Sequence, residues 1–298
     1  MTIPSEYKEA GRIAAEVRET VRHKELCGRT FLEICNFVED MIISKGGQPA
    51  FPCNICVNST AAHYTAEIGD ENIVDERDVV KVDIGVHLDG YIADTAVTVT
   101  NELEFDRLVE ATEATLNEGV RAVHRDIGVE DIGDVISTVA SRWGFRPITN
   151  LSGHLIERYT IHAGKSIPNF RAPRSSRVRI GEVYAVEPFL TDTNASGTVI
   201  SSSTVNIYSI STLKRTGEKE LDDFMNTIWE KCRTLPFAMR YFSQLYKKKK
   251  LDEMIQKLMK KKVVRGYPVL IEEKGGVVAQ AEHTITTTET GLVILTRI

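Results

Sequence analysis

Apolar residues recur at helical spacing over residues 5–44. Ile13, Ala14, Val17 and Val21 mark a first helix. Leu32, Ile34, Phe37, Val38, Met41 and Ile42 mark a second, which Thr30 can cap with Glu33 three residues on, and which Gly46-Gly47 ends. The period then changes to two. Val80, Val82, Ile84 and Val86 share one face of a strand while Lys81, Asp83 and Gly85 share the other, and Asp89-Gly90 predicts a turn into a second strand over 91–100. Residues 103–142 read as helical, and 147–210 as strand and loop, with Val183 to Leu190 a near-continuous apolar run. From about 212 to 262 the chain is rich in Lys and Glu and again helical, with Leu221, Phe224, Ile228 and Cys232 on one stripe; Val277 to Ile298 returns to strand residues. This order predicts an α+β domain carrying a helical insertion. Two helices followed by strands occur twice before residue 210, which hints at a duplicated half.

Four acidic residues interrupt this pattern. Asp83 and Asp94 flank the Asp89-Gly90 turn, and a simple hairpin register sets them nearly opposite each other. Two carboxylates that close repel unless a proton or a cation lies between them; the alternative is the exposed face of an edge hairpin. Glu187 and Glu282 each end an apolar run, and His154 follows Asn150-Leu151-Ser152-Gly153. A charge at the end of a buried strand is costly unless paired or ligated. Four carboxylates balance two divalent cations, and an oxygen-rich set with one imidazole suits Mn²⁺, Fe²⁺, Co²⁺ or Zn²⁺.

Composition adds exclusions. The chain has 298 residues, 42 acidic and 37 basic, a net charge of −5 that does not suggest a dedicated nucleic-acid binder. No apolar run reaches the roughly 18 residues of a membrane span, and the start lacks a signal-peptide core, so a cytoplasmic protein is expected. Five cysteines at irregular spacing fit a reducing compartment. Cys53 and Cys56 have CxxC spacing without a second pair and read as packing residues, with a disulfide the alternative. Lys247–Lys250 and Lys260–Lys262 read as solvated faces or as a basic surface for ribosomal RNA.

The ordered acids carry a resemblance. Ala50-Phe51-Pro52, Ala61 to Thr65, Lys81 to Gly85, Asp94 to Thr100, Asn150 to His154, Ile161 to Lys165, Gly181 to Glu187, Thr234 to Ala238, Gly266-Tyr267-Pro268 and Ala279 to Thr284 together resemble the type 2 methionine aminopeptidases, in their short archaeal form. The resemblance runs from near residue 5 to the end. It implies a pita-bread fold, two pseudo-symmetric halves around a curved antiparallel sheet, with residues 1–205 and 267–298 as the catalytic domain and 206–266 as the type 2 helical insertion.

It also implies a site. Asp83 resembles the ligand of one ion, His154 and Glu187 ligands of the other, and Asp94 and Glu282 the bridges. Glu187 resembles the proton shuttle, His162 the donor to the oxyanion, and His63 the residue at the scissile amide. Phe51, Ile161, Phe189 and Tyr267 match positions lining the methionine pocket, together with His63 and His162. The implied activity is release of the initiator methionine from nascent chains with a small second residue, by a monomer that touches the ribosome only transiently and uses no membrane. The alternatives are an X-Pro peptidase of the same fold and a catalytically silent binding module. His23, His87 and His124 read as surface residues, and His283 as structural.

Overall fold

The computed structural model describes residues 3–174 and 176–297. Among these residues six α-helices form within the stretches the periodicity marks: α1 (Ser5–Arg22), α2 (Phe31–Ser44), α3 (Leu103–Arg121), α4 (Val129–Trp143), α5 (Lys219–Cys232) and α6 (Lys248–Lys260). Thr30 and Glu33 make a reciprocal capping box at α2, with Glu33 N–H donating to Thr30 Oγ1 at 3.1 Å and Thr30 N–H to Glu33 Oε2 at 2.8 Å. The helical stretch expected over 103–142 is broken at Ala122–Gly128, where the chain turns between α3 and α4.

Strand Val79–Leu88 pairs with Tyr91–Thr100 through a two-residue turn, Leu88 facing Tyr91. Asp89 and Gly90 both take positive φ, 48° and 83°, the geometry that matches strand twist in a tight hairpin. Val79–Leu88 also pairs with Gln48–Pro49 and Asn54–Val57, so it is a central strand and not an edge. Helix α1 packs on this hairpin, and Val17, Val38, Ile55, Val82, Ile84 and Val97 share one core.

The second half repeats the plan. Helices α3 and α4 precede Ser152–Ile156, Val183–Val186 and His283–Thr288, which pair in a five-stranded antiparallel sheet. The apolar run at 183–190 is two strands. Glu187-Pro188 interrupts it, and Phe189–Asp192 joins another sheet with Val278–Gln280. Proline has no N–H to continue the ladder.

The two halves are laced by threonine hydroxyls. Asp94 N–H donates to Thr284 Oγ1, and that hydroxyl donates to Asp94 O, both at 2.7 Å. Thr95 Oγ1 donates to Glu282 O and Thr98 Oγ1 to Gln280 O, each at 2.7 Å.

Helices α5 and α6 lie between the strands of a long hairpin, Val199–Ile210 with Val264–Glu272. Leu221, Phe224, Ile228 and Cys232 pack with Phe237, Phe242, Leu251, Met254 and Leu258 in a core of their own. The strand Val264–Glu272 is not anticipated by the sequence pattern, and it runs across the expected boundary at residue 266. His87 is a further correction. It is buried, its Nδ1 accepts from Gly90 N–H at 3.1 Å, and it caps the hairpin turn instead of meeting solvent.

Candidate metal centre

The register of the central hairpin sets Asp83 opposite Ala96 and Asp94 opposite Gly85. The two aspartates are therefore diagonal neighbours on one face, not directly opposed as a simple register suggests. Diagonal Cα atoms lie about 7–8 Å apart, which leaves room between the carboxylates. The glutamates meet differently. Val186 faces His283 and Phe189 faces Gln280, so continuing the register across the interruption sets Glu187 opposite Glu282. Both sit where the chain passes from one sheet to the next, which frees their side chains from either ladder.

His154 joins them from Ser152–Ile156. Its Nε2 lies 3.6 Å from Asp94 Oδ2 and 3.5 Å from Glu187 Oε1, and one ligand atom from each of Asp94, His154 and Glu282 falls within 4.8 Å of the others. Asp94, His154 and Glu282 are buried. Burial pushes the Asp83 carboxyl up to about 7, against hydrogen bonding from Asp94 and Gln280 that lowers it, and burial plus the neighbouring acids raises Asp94, Glu187 and Glu282 well above the usual carboxylate range. Burial holds His154 at about 3 and His162 at about 4, with His162 adding to the first and His63 and Arg265 to the second; burial also lowers His63. All three imidazoles are neutral near pH 7.

Asp83 Oδ1, Asp94 Oδ1 and both oxygens of Glu282 are buried without a hydrogen-bond partner. Buried oxygens left so are expensive, and a cation among them supplies the missing partner. The donor set therefore fits divalent metal.

Asp83, Asp94, His154 and Glu187 floor a cleft of about 340 Å³. Phe51, His63, Ile161, His162, Phe189 and Tyr267 line it, so the structure brings every pocket residue expected from the sequence to one place. The rings of His154 and His162 are 4.4 Å apart, and those of His63 and Tyr267 5.7 Å. His63 takes a left-handed backbone (φ 68°), its N–H donates to Asn54 Oδ1 at 2.9 Å, and its Nδ1 lies 3.2 Å from Pro268 O. Because a carbonyl only accepts, Nδ1 carries the hydrogen and Nε2 keeps its lone pair. Asn54, Asn150, Ile207 and Pro236 also line the cleft and were not among the expected pocket residues. Gln280, fully buried beside Asp83, is another addition. A polar residue in the apolar run 277–281 is its only signal in the sequence.

The comparisons with known proteins agree. The family model described as metallopeptidase family M24 matches residues 5–216. A methionine aminopeptidase of Saccharolobus solfataricus is 39% identical over 295 residues, covering 97% of this chain and 96% of that protein. One from Pyrococcus horikoshii is 40% identical over 278 residues, covering 93% and 94%. The chain belongs to metallopeptidase family M24, among its methionine aminopeptidases.

Solved structures share its pita-bread fold. A methionine aminopeptidase from Thermotoga maritima superposes with a TM-score of 0.71 at 21% identity, covering 100% of this chain and 98% of that one. A thermophilic Arx1 reaches 0.84 at 17% identity, covering 99% and 91%. Among the described residues of this M24 protein, no helix is long and apolar enough to cross a membrane. Cys53 and Cys56 are buried free thiols.

Proposed function

We propose that this protein releases the N-terminal methionine from peptides and nascent chains whose second residue is small, using two divalent ions held by Asp83, Asp94, His154, Glu187 and Glu282. The convergence of four carboxyls, two buried and two half-buried, and a neutral imidazole, with buried oxygens left unpartnered, beneath one cleft carries this reading. Mn²⁺, Fe²⁺, Co²⁺ and Zn²⁺ all suit such donors. When bound, such ions polarise the scissile carbonyl and make water acidic enough to attack it near neutral pH.

The remaining steps belong to the protein. Glu187 accepts the proton that water gives up and returns it to the departing amine. His162, solvent-accessible beside His154, donates to the carbonyl oxygen as charge builds there, a contribution of about 3 kcal/mol. The lone pair of His63 Nε2 accepts from the scissile amide N–H. Phe51, Ile161, Phe189 and Tyr267 wall the thioether side chain; aromatic faces suit its soft sulfur.

We take 1–205 with 267–298 as the catalytic body, 206–266 as an inserted subdomain, and a cytoplasmic monomer as the working form. Contact with ribosomal RNA through α6 belongs to the same proposal. Lys248, Lys250 and Lys257 pair with Glu67, Glu220 and Glu218, so this face offers less free positive charge than its sequence.

The test is Met-Ala-Ser hydrolysis by protein stripped of metal and reloaded anaerobically with each ion, beside Ala-Ala-Ser and an X-Pro peptide. Metal-dependent, methionine-selective release that Glu187→Gln abolishes is expected. Preferential X-Pro cleavage, or no release at all, refutes the reading.

The methionine wall yields a second expectation. A Cβ at Gly85 would lie 2.3 Å from Phe51 Cε1. Gly85→Ala must push that ring into the cleft or strain the strand, costing about 1–3 kcal/mol. A lower melting temperature and a higher KM for Met-Ala-Ser are expected. An unchanged KM would show that Phe51 does not define the pocket.

A further inference from the structure

We propose that Arg265 selects for an acidic side chain at the third residue of the substrate, two places beyond the methionine. This rests on the methionine aminopeptidase reading of the cleft and goes beyond it.

In the long hairpin Ile207 pairs with Tyr267, Tyr208 with Gly266 and Ser209 with Arg265. Side chains alternate between faces along a strand, so Ile207, Tyr267, Ser209 and Arg265 share one face. Ile207 and Tyr267 line the cleft. Ser209 and Arg265 continue that face outward, two residues or about 6.8 Å further along.

Arg265 is held in place there. Its Nε donates to Ser209 Oγ and its Nη2 to Tyr267 OH, both at 3.0 Å, and Ser209 Oγ lies 3.1 Å from Tyr267 OH. The guanidinium stacks on the Tyr267 ring at 5.4 Å. Ser209 is only 1% exposed, whereas Arg265 is open to solvent. Two of the three guanidinium nitrogens are thus used in fixing the group. Among the described residues no carboxylate lies within ion-pair distance of it. Its charge also reaches His162, being one of the influences that keep that imidazole neutral.

An extended peptide presents every second side chain to the same side, with the same spacing as the strand it lies along. For a substrate that runs from Tyr267 toward Arg265, a methionine side chain seated against Tyr267 places the third side chain against Arg265. An anchored guanidinium with free N–H groups pairs best with a carboxylate, less well with a neutral amide, and repels an ammonium.

The experiment uses the full-length, metal-loaded protein and C-terminally amidated peptides Met-Ala-Xaa-Gly, with Asp, Asn or Lys at the third position; amidation removes the competing terminal carboxylate. The expected order of kcat/KM is Asp over Asn over Lys. Asp should exceed Asn about three- to ten-fold at low salt, mostly through KM, the scale of an accessible ion pair, and the ratio should shrink as salt screens it. In Arg265→Gln the Asp-to-Asn ratio should fall to about one, and in Arg265→Glu Lys should overtake Asp. Both variants exchange a solvent-exposed group, and unchanged melting temperatures would verify that they fold. Equal rates for Asp and Asn in the unsubstituted enzyme, or a preference that survives both variants, would overturn the proposal. Methionine release from none of the peptides would instead overturn the aminopeptidase reading on which it stands.

Discussion

Glu282→Gln is expected to abolish metal-dependent methionine release and, in the metal-free protein, to raise the melting temperature. Both effects come from one feature. Without a cation, burial together with Asp94, Glu187 and Asp83 disfavours ionisation of Glu282, and burial raises the other three carboxyls as well. Neither oxygen of Glu282 has a hydrogen-bond partner. A neutral amide of the same shape removes a buried acid that its neighbours repel and adds a donor toward Asp94. The gain should be roughly 2 kcal/mol, the scale of one to two pKa units. The unsubstituted protein regains more than this on loading, because a ligand that binds only the folded state adds about 2.7 kcal/mol at a hundred times its Kd. The variant should show little such metal-dependent shift. Activity should fall at least about 10²-fold, since even partners outside the ligand shell cost that much when removed. Melting curves with chelator and with added Mn²⁺ or Co²⁺, alongside Met-Ala-Ser hydrolysis, separate the outcomes. A metal-free variant no more stable than the parent would show that the carboxyls are not in electrostatic conflict.

The candidate ligands were legible because acids are conspicuous where they are costly. Asp83, Glu187 and Glu282 each stand in or at the end of a run of Val, Ile and Ala, and no structure is needed to see that such a position asks for compensation. The helices were legible for a similar reason, their stripes being long enough to average out exceptions. What escaped was set by contacts between distant segments. The strand Val264–Glu272 contains Arg265, Gly266, Pro268 and Glu272, none a strand former, and forms because its partner Val199–Ile210 supplies the ladder. The break at Glu187-Pro188 could be suspected from the proline alone. That it places Glu187 opposite Glu282 depends on a register shared between residues almost a hundred positions apart. The threonine lacing was invisible too, since Thr95, Thr98 and Thr284 look like ordinary strand residues until their partners at Asp94, Gln280 and Glu282 are known. His87 was misplaced because its role depends on the tightness of a turn two residues away.

Arg240→Met is expected to destabilise the protein by about 3–5 kcal/mol, the cost of leaving one member of a buried ion pair uncompensated, or roughly 10 °C in melting temperature. Arg240 is 9% exposed and pairs with Glu39 of α2, itself 7% exposed. The guanidinium also donates to Thr65 Oγ1 at 2.7 Å and Ala66 O at 2.9 Å. Glu39 Oε1 in turn accepts from Cys53 N–H at 2.9 Å and Tyr241 OH at 3.1 Å, while Thr65 Oγ1 donates to Cys53 O at 2.7 Å. The pair therefore fastens the inserted helices to α2 through the segment that sends Phe51 and Asn54 into the cleft. Loss of the pair should loosen that wall, so KM for Met-Ala-Ser should rise by more than kcat falls. The double variant Glu39→Met with Arg240→Met removes both charges together and should recover much of the lost stability, as buried pairs replaced by apolar groups often do. If the double variant recovers stability but KM stays high, the hydrogen bond to Cys53 N–H positions the wall; if both recover, packing around α2 is sufficient. A single variant as stable as the parent would mean that Glu39 is held neutral and that the interaction is no ion pair.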